Sequence, residues 1–470
     1  MENSHMRSKR NIVFFFTVIL AVACSPKKVA NNTYQSIPII EKALRDTSSV
    51  YFADYGSYPS DLKQLPIGIF DSGTGGLTVL EAFLSMDEFN NESFRYLADQ
   101  ANMPYGNYAA ANKLDYFREL VVKDALFLTT EPNHSKIIVI ACNTATAYGL
   151  KDVQYLLEKG VPGVSVIGVI DAGVNASLDK VRFDGNVAIG VMATVGTISS
   201  GGYQKTIKSS ALKRGFKDEI KVVCQPGMGF AEAVDMEVDY IDKNAVAIRD
   251  NYRGPVIGND SISIDTTLLD RYRFNFANNS MLYKKSGNRY VTIQLNSAAN
   301  YARLYLVNLI ERHRLRDGET PIDNIILGCT HYPFLLDTLN KVVSELRDYT
   351  KDGDKIYDKI LPNDFEFIDP SIYTAREVYQ KLKDRKLLSD TYPANKLKAF
   401  ITVPAATVSP ENIDKNGNFT YQFKYGREAG SEIQTVCTVP FSIQNLNPDN
   451  LLRIEERLPH TWHFLKEELK

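Results

Sequence analysis

The fold class of this chain is indicated most clearly by the segment Ile67-Gly68-Ile69-Phe70-Asp71-Ser72-Gly73-Thr74-Gly75-Gly76. An apolar run typical of a buried strand ends in a turn of polar and small residues, and a helix-like pattern follows. Val139-Ile140-Ala141-Cys142-Asn143-Thr144-Ala145 and Ile326-Leu327-Gly328-Cys329-Thr330-His331-Tyr332-Pro333 repeat this design. Short strands that alternate with helix-length patterns predict an α/β fold with parallel sheets.

The same alternation divides the chain into segments. Residues 66–240 carry the first α/β half and the part that leads into the second, which residues 296–388 complete. Residues 241–295 are less regular and predict an insertion with a hairpin. Residues 389–470 predict a β-rich C-terminal extension, with strands at 398–403, 419–425 and 436–443 and a closing helix. We therefore expect two similar, doubly wound parallel-sheet halves with the active site between them.

Composition indicates a soluble globular protein rather than a nucleic-acid-binding one. The 470 residues are 44% hydrophobic and 23% charged, which is typical of packed domains and is enough for two or three of them. A formal net charge of -2 provides no basic field that would condense onto a phosphate backbone. These values favour a small-molecule substrate and argue against nucleic-acid partners.

The N-terminus has the pattern of an export signal. Basic residues within 7–10 precede the uncharged run 12–23, which is shorter than the roughly 20 residues that a membrane-spanning helix needs. The sequence at 21–24 resembles a bacterial lipoprotein box, which implies that residues 1–24 are a lipoprotein signal peptide and that Cys24 is lipidated. The expected location is the bacterial cell envelope, lipid-anchored to a membrane and facing the periplasm, with 25–65 as a tether and docking segment. A cleaved signal peptide with a chance cysteine is the alternative.

The three polar turns predict an anion-binding site. Ligands collect at the carboxyl ends of parallel strands, where all three turns would lie. Backbone N–H groups at the following helix N-termini suit a carboxylate, and Ser72, Thr144 and Thr330 add hydroxyl groups.

Two of these turns carry a cysteine, and the pair predicts proton-transfer chemistry. A helix N-terminus is expected to lower the pKa of Cys142 and Cys329. Thiols on opposite faces of a substrate carbon can remove a Cα proton on one side and supply one on the other without a cofactor. Asp71 and His331 are the natural groups to set the protonation of these thiols.

Three segments are similar to the signature segments of glutamate racemases, within the aspartate/glutamate racemase family: 68–77, 141–145 and 328–333, with 99–106 resembling a fourth. The likeness runs in order over 66–240 and 296–384. It implies a cofactor-independent isomerase that makes a D-amino acid for cell-wall peptidoglycan biosynthesis. The implied catalytic residues are Cys142, Cys329, Asp71 and His331. The implied substrate-binding residues are Ser72, Pro104, Tyr105, Gly106, Asn143, Thr144 and Thr330, and Glu232 is the best match to a further family glutamate.

Departures from the family pattern keep the substrate open. Gln100 and Asn102 stand where the resemblance leads us to expect a small hydroxyl residue and an arginine, and Asp171-Ala172 replaces a Glu-Pro pair. Glutamate is the leading substrate candidate and aspartate is another, while the oligomeric state stays open.

A non-catalytic lipoprotein that binds an amino acid or a cell-wall peptide is the main alternative function. Asp71-Ser72-Gly73 also matches the aspartic protease motif, but the chain has no second copy. We expect no metal and no cofactor.

Overall fold

The computed structural model of the chain describes residues 34–182 and 186–469. The strands are β1 (Ile67–Asp71), β2 (Phe94–Ala98), β3 (Ile137–Ile140), β4 (Ser165–Gly168), β5 (Ala188–Ala193), β6 (Lys221–Pro226), β7 (Met281–Ser286), β8 (Arg289–Leu295), β9 (Ile322–Gly328), β10 (Glu366–Ile368), β11 (Leu397–Pro404) and β12 (Val436–Pro440). The α-helices are α1 (Pro38–Arg45), α2 (Leu77–Leu84), α3 (Asn107–Ala110), α4 (Leu114–Thr129), α5 (Asn143–Gly160), α6 (Val169–Lys180), α7 (Val195–Ser199), α8 (Gly202–Arg214), α9 (Phe230–Val234), α10 (Leu269–Tyr272), α11 (Ala298–Asp317), α12 (Leu336–Arg347), α13 (Pro370–Asp384), α14 (Tyr421–Gly426), α15 (Pro448–Arg457) and α16 (Pro459–Glu468).

Two sheets organise these elements. The first has the strand order β12-β11-β2-β1-β3-β4 and the second has the order β10-β9-β5-β6. Neighbouring strands run parallel in both, except that β12 pairs antiparallel with β11 at the edge of the first sheet. Parallel neighbours need crossover connections, which the intervening helices supply. The predicted α/β fold with two parallel-sheet halves is confirmed.

Burial explains why the central strands read as continuous apolar runs. All residues of β1, β3 and β9 are buried, as expected of parallel strands covered by helices on both faces. Helix α13 follows the last strand of the second sheet, and it packs against both α6 and α2. Since α2 follows β1 of the first sheet, this packing links the helices of the two halves.

The predicted insertion forms a hairpin of its own, whereas the predicted extension adds strands to the first sheet. Strands β7 and β8 form a two-stranded antiparallel hairpin within the insertion, as the sequence predicts. Strand β11 pairs with β2, so the extension enlarges the first sheet instead of forming a sheet of its own.

The predicted strand at 419–425 is wrong, because the Thr420 side chain accepts a hydrogen bond from the Phe423 N–H and caps helix α14. The closing helix is in fact two helices, α15 and α16, and Pro459 begins the second.

The N-terminal part of the described chain is docked on the first half. Ile39, Ile40 and Ala43 of α1 are buried in a core that includes residues of α4 and α5. The predicted signal peptide and Cys24 lie outside the described residues. Among the helices within 34–182 and 186–469, none combines the length and the hydropathy of a membrane-spanning segment.

Candidate active site

A cavity forms where strand ends from both sheets meet. It encloses about 500 Å³ of space, open solvent at its mouth included. The turns after β1, β2 and β3 line it from the first sheet, and the turns after β5, β6 and β9 line it from the second. Its lining includes both Cys142 and Cys329. The lining residues predicted to bind substrate are Ser72, Pro104, Tyr105, Gly106, Asn143, Thr144 and Thr330.

Cys142 caps the N-terminus of α5 from the end of β3. Its sulfur accepts a hydrogen bond from the Ala145 N–H (3.5 Å), and the thiol donates to Ser72 Oγ (3.9 Å). We expected the helix N-terminus to lower the pKa of this thiol, but the structure indicates the opposite. Burial, followed by the Asp71 carboxylate, raises the pKa of Cys142 well above its ordinary value and outweighs the Ala145 N–H. Cys142 therefore holds its proton at neutral pH.

Cys329 follows β9 and lies beside an imidazole. Its sulfur is 3.6 Å from His331 Nδ1, and both residues are buried. His331 Nε2 is 3.1 Å from Asp235 Oδ2. Burial alone would lower the pKa of His331, but the Asp235 carboxylate and then Cys329 raise it well above its ordinary value. A charged His331 has an N–H for each partner, so it can exchange a proton with the Cys329 sulfur.

Asp235 is a residue of the site that the sequence did not reveal. It follows the short helix α9 and is fully buried. Burial would raise the pKa of its carboxyl group, but His331 and Arg453 hold that pKa below its ordinary range. Glu232, the residue matched to the family glutamate, lines the cavity, whereas Asp235 lies behind His331 and is not among the lining residues. The carboxylate that contacts His331 is nevertheless that of Asp235, for which no motif gave a signal.

Asp71 ends β1 beneath the cavity. Its Oδ2 accepts hydrogen bonds from the Gly76 N–H (2.7 Å) and from Thr330 Oγ1 (3.3 Å), which ties the first turn to the third. Burial raises the pKa of Asp71, although the His331 charge lowers it in part. The glycine-rich turn is needed here because a Cβ on Gly75 would lie 2.4 Å from the His331 ring.

The polar residues predicted to bind substrate differ in what their side chains offer. The Tyr105 hydroxyl lies within hydrogen-bond distance of Asp99 Oδ2 (2.5 Å) and Asp124 Oδ2 (2.7 Å), so it is already used inside the first half. Asn143 Oδ1 accepts from the Tyr203 hydroxyl (2.6 Å), which leaves the Asn143 amide N–H groups for a ligand. Asn143 is therefore suited to an acceptor such as a carboxylate.

A cluster of threonine hydroxyls adds polar groups that the sequence analysis missed. Thr144 Oγ1 is 3.0 Å from Thr194 Oγ1 and 2.9 Å from Thr197 Oγ1. Thr194 caps α7 after β5, which is the same strand-to-helix design as the three turns that the sequence did reveal. In the described part of the chain, no group of three or more His, Cys, Asp or Glu residues could hold a metal ion.

Comparison with known proteins identifies the family. No family model matches the chain. A glutamate racemase from Lactobacillus helveticus is 32% identical over 251 residues, which cover 53% of this chain and 82% of that relative. The chain belongs to the glutamate racemase family. A glutamate racemase from Carboxydothermus hydrogenoformans is 27% identical over 342 residues, covering 73% of this chain and 88% of the relative. The match to the solved structure of glutamate racemase isoform RacE1 from Bacillus anthracis covers 72% of this chain and 87% of that protein's chain, with a TM-score of 0.44 and 23% identity. The predicted family is confirmed.

Glu232 should make the stability of this racemase depend on pH. Burial raises the pKa of Glu232 to about 7, so the folded protein keeps a proton that the unfolded chain releases near 4.5. Stability should therefore fall as pH rises between these values, by up to about 3 kcal/mol at roughly 1.4 kcal/mol per unit. We predict that the melting temperature of the wild type, relative to Glu232→Gln, is lower at pH 8 than at pH 5. Glu158→Gln, at an exposed position of α5, is the control. An equal difference at both pH values would contradict this role of Glu232.

Proposed function

We propose that the protein interconverts L-glutamate and D-glutamate by moving the Cα proton between Cys142 and Cys329. The observation that carries this proposal is that two buried, free cysteines from different sheets line one cavity. The relatives described above are named glutamate racemases, which supports glutamate as the substrate. A ligand-binding cavity alone would have no need for two such thiols.

The reaction balances with the two sulfurs and no added reagent. A Cys329 thiolate takes the Cα proton, so the C–H bond breaks and an S–H bond forms. The electron pair left at Cα then takes the proton of the Cys142 thiol on the opposite face, which inverts the centre and leaves a thiolate at Cys142. The raised pKa of Cys142 keeps its thiol protonated, so Cys142 holds a proton to donate when Cys329 is the base. The opposite conversion runs the same steps in reverse.

The charge that develops during this reaction needs nearby hydrogen-bond donors. As Cα loses its proton, negative charge spreads into the substrate carboxylate. The N–H groups at the start of α5, the Asn143 amide and the Thr144 hydroxyl line the same cavity and are suited to meet that charge. This donor set favours an amino acid with a free carboxylate.

The two cysteines should be individually essential for turnover. We predict that Cys142→Ala and Cys329→Ala each lower the rate of glutamate racemisation by at least about a hundredfold, because each removes the proton carrier for one face. Circular dichroism of L- and D-glutamate, with dialysed protein and no added pyridoxal phosphate, measures the rate.

Cys224→Ala and Cys437→Ala are the matched controls, since neither cysteine lines the cavity. These variants should retain the wild-type rate. A Cys142 or Cys329 variant with near wild-type turnover would refute the two-thiol mechanism. Wild-type protein that racemises aspartate but not glutamate would refute the substrate assignment, and protein that racemises neither would favour the binding lipoprotein.

We also propose that Cys24 anchors the racemase to a membrane of the bacterial cell envelope, facing the periplasm. The basic residues within 7–10, the short apolar run and the cysteine after small residues support this proposal. In the described chain, α1 begins at Pro38 and is docked on the first half. The segment between Cys24 and α1 would then be a short tether.

The anchor can be tested by fractionation. We predict that Cys24→Ser leaves the protein unprocessed or releases it from the membrane fraction, because lipidation requires the thiol. Cys437→Ser, at an exposed cysteine of β12, should remain membrane-bound. A processed Cys24→Ser protein that stays in the membrane fraction would rule out the lipid anchor.

A further inference from the structure

Arg453 reaches the active site from the C-terminal extension. It lies on α15, outside the segments that resemble racemases, and its side chain is only 13% exposed. The guanidinium group packs over the Phe334 ring at 4.6 Å and donates a hydrogen bond to the Val234 carbonyl oxygen. Its Nη2 donates to Asp235 Oδ1 at 2.6 Å and to Thr74 Oγ1 at 3.3 Å. Arg453 is therefore held by several contacts around one carboxylate.

The Asp235 carboxylate is shared between two cations. Oδ1 faces Arg453 and Oδ2 faces His331, so each oxygen has its own charged partner. A buried carboxylate with two cationic neighbours stays ionised and has little freedom to rotate. The orientation that meets His331 thus depends on the contact that Arg453 makes on the other side.

A continuous series of contacts connects the extension to the reacting sulfur. It runs from Arg453 to Asp235, then to His331 Nε2, and from His331 Nδ1 to the Cys329 sulfur. Arg453 is not among the residues that line the cavity, so it acts through Asp235 and does not contact the substrate. The other titratable groups whose charges act on Asp235 or His331 are Asp71 of β1, Tyr96 of β2, Glu232 of α9 and Glu237 beyond it.

We propose that Arg453 is a positioning residue for proton transfer at Cys329, because it fixes Asp235 against His331 and shares the charge of that carboxylate with the imidazole. This proposal rests on the proposed racemase function. It makes the C-terminal extension part of the active site. An isolated Asp235–His331 pair would hold the imidazole proton more tightly, whereas a second cation on Asp235 weakens that hold and eases proton exchange with Cys329.

The test compares Arg453→Met with Arg453→Lys in the full-length protein. Arg453→Met removes the cation but keeps an apolar stem over Phe334. We expect its kcat for glutamate to fall roughly tenfold to a hundredfold, with KM changed much less, because the geometry of proton transfer is lost while the cavity is kept. The limb of the pH–rate profile that reports His331 should move to higher pH, since a nearby positive charge has been removed. Arg453→Lys keeps that charge and should restore most of the profile.

The matched control is Arg457→Met on the same helix. Arg457 is exposed and pairs with Asp337, away from the cavity, so this variant should retain the wild-type kcat and pH profile. Asp235→Asn combined with Arg453→Met should be no slower than Asp235→Asn alone, because both changes act on one contact.

NMR of isotopically labelled histidine gives a readout that does not need turnover. The chain has six histidines, and His331→Gln assigns the resonance of interest. In Arg453→Met the His331 titration should move to higher pH, whereas in Arg457→Met it should stay unchanged. An unchanged His331 titration in Arg453→Met would overturn the proposal. A kcat of Arg453→Met as high as that of Arg457→Met would also overturn it. If the wild type racemises no glutamate, the proposed function fails, but the His331 titration still decides whether Arg453 is coupled to the site.

Discussion

Parallel strands of two sheets end at a common cavity, and this geometry determines where the functional groups lie. Each strand end opens into a turn and a helix N-terminus, which exposes backbone N–H groups and small polar side chains at the same place. Cys142 enters this cavity from the first sheet and Cys329 from the second. The packing of α13 against both α6 and α2 connects the helices of the two halves. This arrangement, rather than any single residue, makes the cavity suited to the proposed proton transfer at the two faces of one carbon.

Burial gives the two thiols different surroundings. Around Cys142 the low-dielectric environment and the Asp71 carboxylate favour the neutral thiol. Around Cys329 the charged imidazole of His331 provides a proton-exchange partner, and that charge is maintained by Asp235. Two thiols with such different neighbours are suited to act as acid and base in turn. The extension adds to this balance, since Arg453 is the second cation on Asp235.

Local pattern made the fold and the two cysteines predictable, because each cysteine-bearing turn is contiguous in sequence and directly follows an apolar strand. Asp235 and Arg453 could not be predicted, since they are separated by over two hundred residues and meet only through the packing of α15. Asn102 stands where the resemblance led us to expect an arginine, and Arg427 of the extension donates to its Oδ1 at 2.6 Å. The strand predicted at 419–425 failed because a capping contact at Thr420 outweighed aromatic β-propensity. Long-range contacts were the missing information at Asp235 and Arg453, and a local cap was the missing information at 419–425.

In the proposed mechanism, two thiols on opposite faces transfer the Cα proton. The most direct measurement is the isotope content of glutamate after a single low-conversion reaction in deuterated water, starting from protiated L-glutamate. We expect the D-glutamate formed to carry solvent deuterium at Cα while the remaining L-glutamate keeps its protium, because the group that delivers the proton differs from the group that removes it. D-glutamate that retains the original protium would show that one group carries the proton across both faces, and the two-thiol mechanism would be wrong.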